Sequence, residues 1–194
     1  MVVIEIDKKD LMNLIKSEMK DEELQEVLFL QKIESSVEGN KLTCELNPDR
    51  PDMFSVEGIA RAIKGFLGME KGLSKYETFE SNVVLTKEKV SVRPQIACAI
   101  IKDVKMSNEL VKSLIQIQEK LHATIGRDRK KVAIGVHDFD KIKPPLIYKD
   151  VDNEKFIPLQ DTREMTVKEI LENHPKGKDY AHLVHDKYPM IYDK

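Results

Sequence analysis

Residues 47–61 read Asn47-Pro48-Asp49-Arg50-Pro51-Asp52-Met53-Phe54-Ser55-Val56-Glu57-Gly58-Ile59-Ala60-Arg61, and this stretch decides how the N-terminal part of the chain must fold. Two closely spaced prolines cannot continue a strand or sit deep inside a helix. The residues after them have helical spacing, with Val56, Ile59, Ile63 and Phe66 on one side and Gly68 as the stop. Asp49 and Asp52 are placed to accept from amides at the helix start, and Pro51 fixes the entry angle. A glycine inside a helix costs about 1 kcal/mol relative to alanine, so Gly58 implies a neighbour packed close against it. Capping and packing account for all of these features. The alternative is a docking surface for another subunit, built from Asn47, Asp49, Arg50, Pro51, Asp52, Gly58 and Arg61.

Upstream, residues 2–6 are β-branched and read as a strand. Asp7 or Asp10 then caps a helix with Leu11, Leu14, Ile15 and Met19 at helical spacing. The acidic start Asp21-Glu22-Glu23 suits the positive end of a second helix, with Leu24, Val27 and Leu28 on one face. Residues 35–46 form a hairpin: Glu38-Gly39-Asn40 turns the chain, and Leu42, Cys44 and Leu46 alternate. Downstream, residues 68–81 are rich in Gly, Ser, Lys and Glu. This divides the chain into an N-terminal module at 1–75, a linker at 76–81 and a second domain at 82–194. The second domain is expected to contain strands at 82–85, 90–92 and 146–148. It should also hold nearly continuous apolar, fully buried strands at 96–104 and 132–136. A long helix capped by Ser107 carries Leu110, Leu114, Ile117, Leu121 and Ile125 along one side. Residues 161–182 are helical in part, broken at Pro175-Lys176-Gly177, and 190–192 begin a strand. The class is α+β, mixed α/β in two parts.

The 194 residues carry 32 Lys+Arg against 34 Asp+Glu, a net charge of −2, with 41% hydrophobic and 34% charged residues. That mixture describes a globular chain and argues against a strongly basic nucleic-acid module, at least on average. The asymmetry is local: residues 1–75 hold 11 basic and 15 acidic side chains, and the remainder 21 and 19. No apolar run approaches the roughly 20 residues that span a bilayer, and the N-terminus lacks a signal-like leader. The expectation is a cytoplasmic protein with no membrane partner. Cys44 and Cys98 lie in apolar stretches and read as free buried thiols.

Three further groups could carry chemistry. On a strand, Ala133, Gly135 and His137 would share a face, leaving room beside the histidine for a ligand. His137 could polarise a water molecule, while Asp138 or Asp140 accepts from a ligand hydroxyl or caps the turn. A structural histidine is the competing reading. Residues 120–131 concentrate Lys120, Arg127, Arg129, Lys130 and Lys131 against Glu119 and Asp128. They form either a solvated helix end or a guide for a phosphate backbone. His182 and His185 have helical metal-ligand spacing without a third ligand, so no metal is expected.

In order along the chain, these motifs resemble a known family. Residues 47–61, after a strand–helix start, are similar to the first domain of the phenylalanyl-tRNA synthetase β subunit. The run Gln118-Glu119-Lys120-Leu121-His122-Ala123-Thr124-Ile125-Gly126-Arg127, followed by residues 132–140, resembles the archaeal/eukaryotic branch. The resemblance implies a small N-terminal α/β module followed by the first, incomplete part of an α/β tRNA-editing domain. It implies an α subunit as partner in a hetero-oligomer, phenylalanine tRNA as ligand, and ATP and Mg for the whole synthetase but no cofactor in this chain. Editing would remove tyrosine wrongly esterified to that tRNA, because an apolar pocket cannot strongly reject an isostere that only adds a hydroxyl. His137-Asp138-Phe139-Asp140 is similar to a bacterial His-Ala-Phe-Asp run. The resemblance therefore places His137 and Asp138 at the editing pocket, and Arg127, Arg129, Lys130 and Lys131 near tRNA phosphates. Such a portion would not aminoacylate alone. A non-catalytic assembly or tRNA-docking module and a stand-alone trans-editing hydrolase are the alternatives.

Overall fold

A computed structural model describes residues 1–184 and 186–194. The chain begins with strand β1 (Val2–Asp7), whose Val2, Ile4 and Ile6 are buried while the intervening side chains face solvent. Helix α1 (Lys8–Ile15) follows at once, and Asp7 rather than Asp10 caps it by accepting from the Asp10 amide. It ends at Lys16, which takes a left-handed φ of 62°, so Met19 lies beyond it. Helix α2 (Asp21–Phe29) buries Leu24, Val27 and Leu28. The hairpin of β2 (Glu34–Glu38) and β3 (Lys41–Leu46) turns at Gly39, whose φ of +61° a side chain would strain. Asn40 in that turn accepts from the Lys9 amide and donates to Asp7 at 2.6 Å, tying the hairpin to the start of α1.

These strands form one antiparallel sheet in the order β1-β3-β2. In its register Ile4 opposes Cys44 and Ile6 opposes Leu42, so both strands send their apolar sets to one face. A slip of one residue would expose every one of them. A 3₁₀ turn at Pro51–Met53 leads into α3 (Val56–Phe66), which buries Ile59, Ala60 and Ile63. Phe54 is the largest fully buried side chain.

Strand β4 (Leu85–Lys87) precedes the long helix α4 (Asn108–Ala123), capped by Ser107 as expected. Strand β5 (Leu146–Val151) is followed by the short pair β6 (Lys155–Phe156) and β7 (Met165–Thr166). Helix α5 (Val167–Asn173) opens on a reciprocal capping box between Thr166 and Glu169, and α6 (Pro175–Tyr180) starts at the proline expected to break it. Strand β8 (Tyr188–Tyr192) completes a second sheet in the order β4-β5-β8.

The chain divides into two compact units, residues 1–76 with 104–135 and residues 77–103 with 136–194. Helix α4, expected within the segment from 82 onward, therefore packs with the N-terminal module. Ile117 and Leu121 lie against its core. The Ser113 hydroxyl donates to Glu57 of α3, and the Glu5 amide of β1 donates to Gln116.

Two expected buried strands are absent from the described residues. Residues 96–104 and 132–136 form no strand and have no ladder partners, and Ile101 is 82% and Val136 60% exposed. An apolar run becomes a buried strand only where neighbouring strands satisfy its amides and layers cover both faces. Cys98 falls in the first of these runs and is exposed, whereas Cys44 on β3 is buried as expected. No helix among the described residues is long and apolar enough to cross a membrane. His185 lies outside the described residues, and among those described no three His, Cys, Asp or Glu side chains gather to hold a metal.

Candidate functional site

The first group is centred on Asp52. Arg50 donates to both its carboxylate oxygens at 2.9 Å, and Arg61 of α3 donates to one of them at 2.9 Å. Hydrogen bonding from Arg50, then from Arg61, holds the Asp52 carboxyl below the usual carboxylate range. The same contact raises the Arg50 guanidinium. Asp52 is thus not the helix cap; the Ser55 hydroxyl takes that role, accepting from the Gly58 amide at 3.2 Å. Gly58 sits where a Cβ would lie 1.8 Å from the Asp52 carbonyl oxygen, so only glycine lets α3 meet the Pro51 turn. Asn47 and Asp49 are exposed and Pro51 is half-buried at the first position of the turn. An open groove of about 580 Å³ runs along this face, lined by Gln31, Arg50, Asp52, Arg61, Phe66 and Leu73 among others. Phe29, Leu30 and Phe66 are exposed at the ends of α2 and α3.

The second group follows α4 in the same compact unit. Arg127, Asp128 and Arg129 all have left-handed backbone, with φ of 48°, 54° and 64°. For residues other than glycine this conformation costs roughly 1–2 kcal/mol each, so the surroundings must hold it. They do so through the Arg129 amide donating to the His122 carbonyl, the Lys131 amide to Gly126, and the Ile134 amide to the His122 ring at 2.7 Å. Gly126 is buried, and a Cβ there would stand 2.7 Å from the carbonyl oxygens of both His122 and Val132. Of the expected phosphate contacts, Arg129 is committed: its guanidinium bonds both Glu119 oxygens at 2.6 Å. Burial opposes it, but Arg129 keeps the Glu119 carboxyl below its ordinary range. Arg127, Lys130 and Lys131 are exposed and make no ion pair among the described residues.

The third group belongs to the other compact unit. His137 is exposed outside any strand or helix and has no hydrogen bond among the described residues. Its expected strand face beside Ala133 and Gly135 is not formed. Asp138 caps the 3₁₀ turn Phe139–Lys141 by accepting from the Asp140 amide at 3.2 Å, and it pairs with Lys141. Of its two expected roles it fills the capping one.

With this geometry in view, relatives place the chain. Over its whole length it is 46% identical to the phenylalanine–tRNA ligase β subunit of Methanocaldococcus jannaschii, covering 37% of that protein. Over 81% of its length it is 51% identical to the corresponding subunit of Archaeoglobus fulgidus, covering 30% of it. A crystal structure of an N-terminal fragment of the phenylalanyl-tRNA synthetase β subunit from Pyrococcus horikoshii superposes on the entire chain with a TM-score of 0.91 at 41% identity, and 59% of that fragment is covered. The chain belongs to the phenylalanine–tRNA ligase β-subunit family.

It corresponds to the N-terminal portion of the archaeal-type subunit, an aminoacyl-tRNA synthetase component, and spans about a third of the length of the curated relatives it matches. No family model matches it. The resemblance read from residues 47–61 and 118–140 is confirmed, together with the mixed α+β class. Sequence reasoning about this synthetase portion overlooked His122, which is only 3% exposed in the last turn of α4. One signal was available: Glu119 and His122 stand three apart on a helix and so face the same side. Its bond to Ile134 had no local signature.

Proposed function

We propose that the chain serves a phenylalanine–tRNA ligase as the N-terminal portion of its β subunit, contributing to subunit assembly, tRNA contact and hydrolytic editing. The observation that carries this reading is the turn after α4, where Arg127, Lys130 and Lys131 point into solvent without counter-charges among the described residues. Cations held on a fixed turn meet a phosphate backbone with little further ordering, and phosphate contacts set the register of a nucleic acid on a protein. In this reading the ligand is phenylalanine tRNA. The groove beside Arg50 and Arg61, with its exposed apolar rim, supports an assembly role for the motif at 47–61. The partner there is the α subunit, which with ATP and Mg performs the charging reaction. This chain does not aminoacylate alone.

Within residues 82–194, the part outside α4 and its turn contributes the first part of the editing domain, and the apolar runs at 96–104 and 132–136 find strand partners in the longer subunit. His137, with both ring nitrogens uncommitted, can there hold a water or a ribose hydroxyl near the mischarged ester. Asp138 shapes the turn that follows it.

The tRNA reading is tested by titrating the chain with phenylalanine tRNA across a salt series. Replacing Arg127, Lys130 and Lys131 together by alanine should weaken binding and flatten the slope of log affinity against log salt by about 2–3. An unchanged slope would overturn it. The editing role is read in the assembled synthetase: His137→Ala should abolish hydrolysis of tyrosine mischarged onto phenylalanine tRNA while His182→Ala leaves it intact. Hydrolysis that survives His137→Ala favours the non-catalytic assembly and docking module instead.

A further inference from the structure

His122 is tied to the cationic turn from both of its hydrogen-bonding ends. Its carbonyl accepts from the Arg129 amide at 3.2 Å, inside the left-handed stretch. Its ring Nε2 accepts from the Ile134 amide at 2.7 Å, where the chain leaves the turn. A nitrogen that accepts carries no proton, so the neutral ring bears its hydrogen on Nδ1. The group facing Nδ1 is Glu119, whose Oε1 lies 3.5 Å away. Glu119 is in turn gripped through both oxygens by Arg129. One residue of α4 therefore fastens the left-handed stretch through its backbone and the exit from the turn through its side chain. The Glu119–Arg129 pair lies beside them, and Nδ1 itself is buried without a hydrogen bond among the described residues.

We infer that His122 is the positioning residue of this portion of the synthetase: as a neutral imidazole it clamps residues 129 and 134 and so holds the left-handed residues 127–129, which carry Arg127 and lead into Lys130 and Lys131. Three consecutive left-handed residues do not persist without such a constraint, because each prefers an ordinary backbone region by more than thermal energy. A leucine in place of His122 would fill much of the same space but offer the Ile134 amide nothing. A glutamine reaches the position of Nε2 with a carbonyl oxygen. The clamp is thus separable from simple packing. Its consequence for nucleic-acid contact rests on the tRNA reading proposed above, whereas the clamp itself does not.

The test is amide hydrogen exchange on the full chain, with tRNA titration alongside. In His122→Leu, the Ile134 amide should exchange at least about tenfold faster, as for the loss of its hydrogen bond, and the Arg129 amide faster as the turn loosens. Amides of α1 and α3 should keep their protection. His122→Gln should restore protection at Ile134, and Glu119→Gln, a milder change, should lower it only in part. If Ile134 stays as protected in His122→Leu as in the parent, or if His122→Gln fails to restore it in a chain whose α1 and α3 amides are intact, the clamp is wrong. Should His122→Leu not fold, Glu119→Gln and His122→Gln decide the question by the same amides. Loss of protection with an unchanged salt slope for tRNA would uphold the clamp and overturn the tRNA reading. Loss of both would support the two together.

Discussion

Strand β3 and the run at 132–136 look alike on paper. Leu42, Cys44 and Leu46 alternate in one, and Val132, Ile134 and Val136 alternate in the other. The first lies at the centre of a sheet, hydrogen-bonded to β1 and β2, with all three apolar side chains buried. The second has no ladder partner among the described residues, and all three of its apolar side chains are exposed. The difference is not in local preference. β3 finds a partner two residues away across a turn and another across α1 and α2, and each pairing faces a helix layer that buries it. Alternation states which face a strand would bury, and it carries no information about whether a partner exists.

The two cysteines mark the ends of this contrast and make the largest expected effect. Cys98 lies in the exposed run at 96–104, whereas burial pushes the Cys44 thiol up to about 12. Because the thiolate is the reactive form, a thiol reagent at neutral pH should modify Cys98 rapidly. Cys44 should react only through opening of the sheet, at least about a thousandfold more slowly. Comparable rates measured by mass spectrometry would mean that the first unit is not the ordered one.

A second way to press the comparison is Phe54→Ala. Removing the largest fully buried side chain of the first unit should cost about 3–5 kcal/mol, read by denaturant unfolding. Hydrogen exchange in β5 and β8 should hardly move, since those strands share no core residue with Phe54. Loss of protection in both sheets together would show that the two units unfold as one.

The smallest effect concerns Asp52. Its carboxyl is lowered in the folded state, by Arg50 first. The stability it adds is therefore complete above the unfolded carboxylate value of about 4 and lost as pH falls through the lower folded one. Asp52→Asn should be less stable than the parent at neutral pH, and the gap should close in acid. A gap that persists at low pH would mean that Asp52 acts by shape rather than by charge.

Much of the first unit was legible because its contacts are local or periodic. Ser107 and the acidic start of α2 announced helices, Glu38-Gly39-Asn40 announced a hairpin, and Gly58 announced a close neighbour that proved to be the Asp52 carbonyl. The site was legible only in part. The basic residues after α4 stood out by composition, but nothing local distinguished Arg129, bound by Glu119 across a turn, from Arg127, which is free of ion pairs among the described residues. Arg50 and Arg61 were visible as cations of the motif at 47–61, while their shared carboxylate could have served equally as a helix cap.

By itself the sequence determined the helices, the hairpin and its register, because capping, left-handed turns and apolar period act over a few residues. It also carried the family, through two ordered motifs. Only the tertiary structure decided that α4 packs with the N-terminal module, that the runs at 96–104 and 132–136 lie exposed, and that His122 secures the cationic turn. Each of these depends on which distant group arrives as a partner. A hydrogen bond between residues 122 and 134, or its absence along a would-be strand, is a property of the assembled chain.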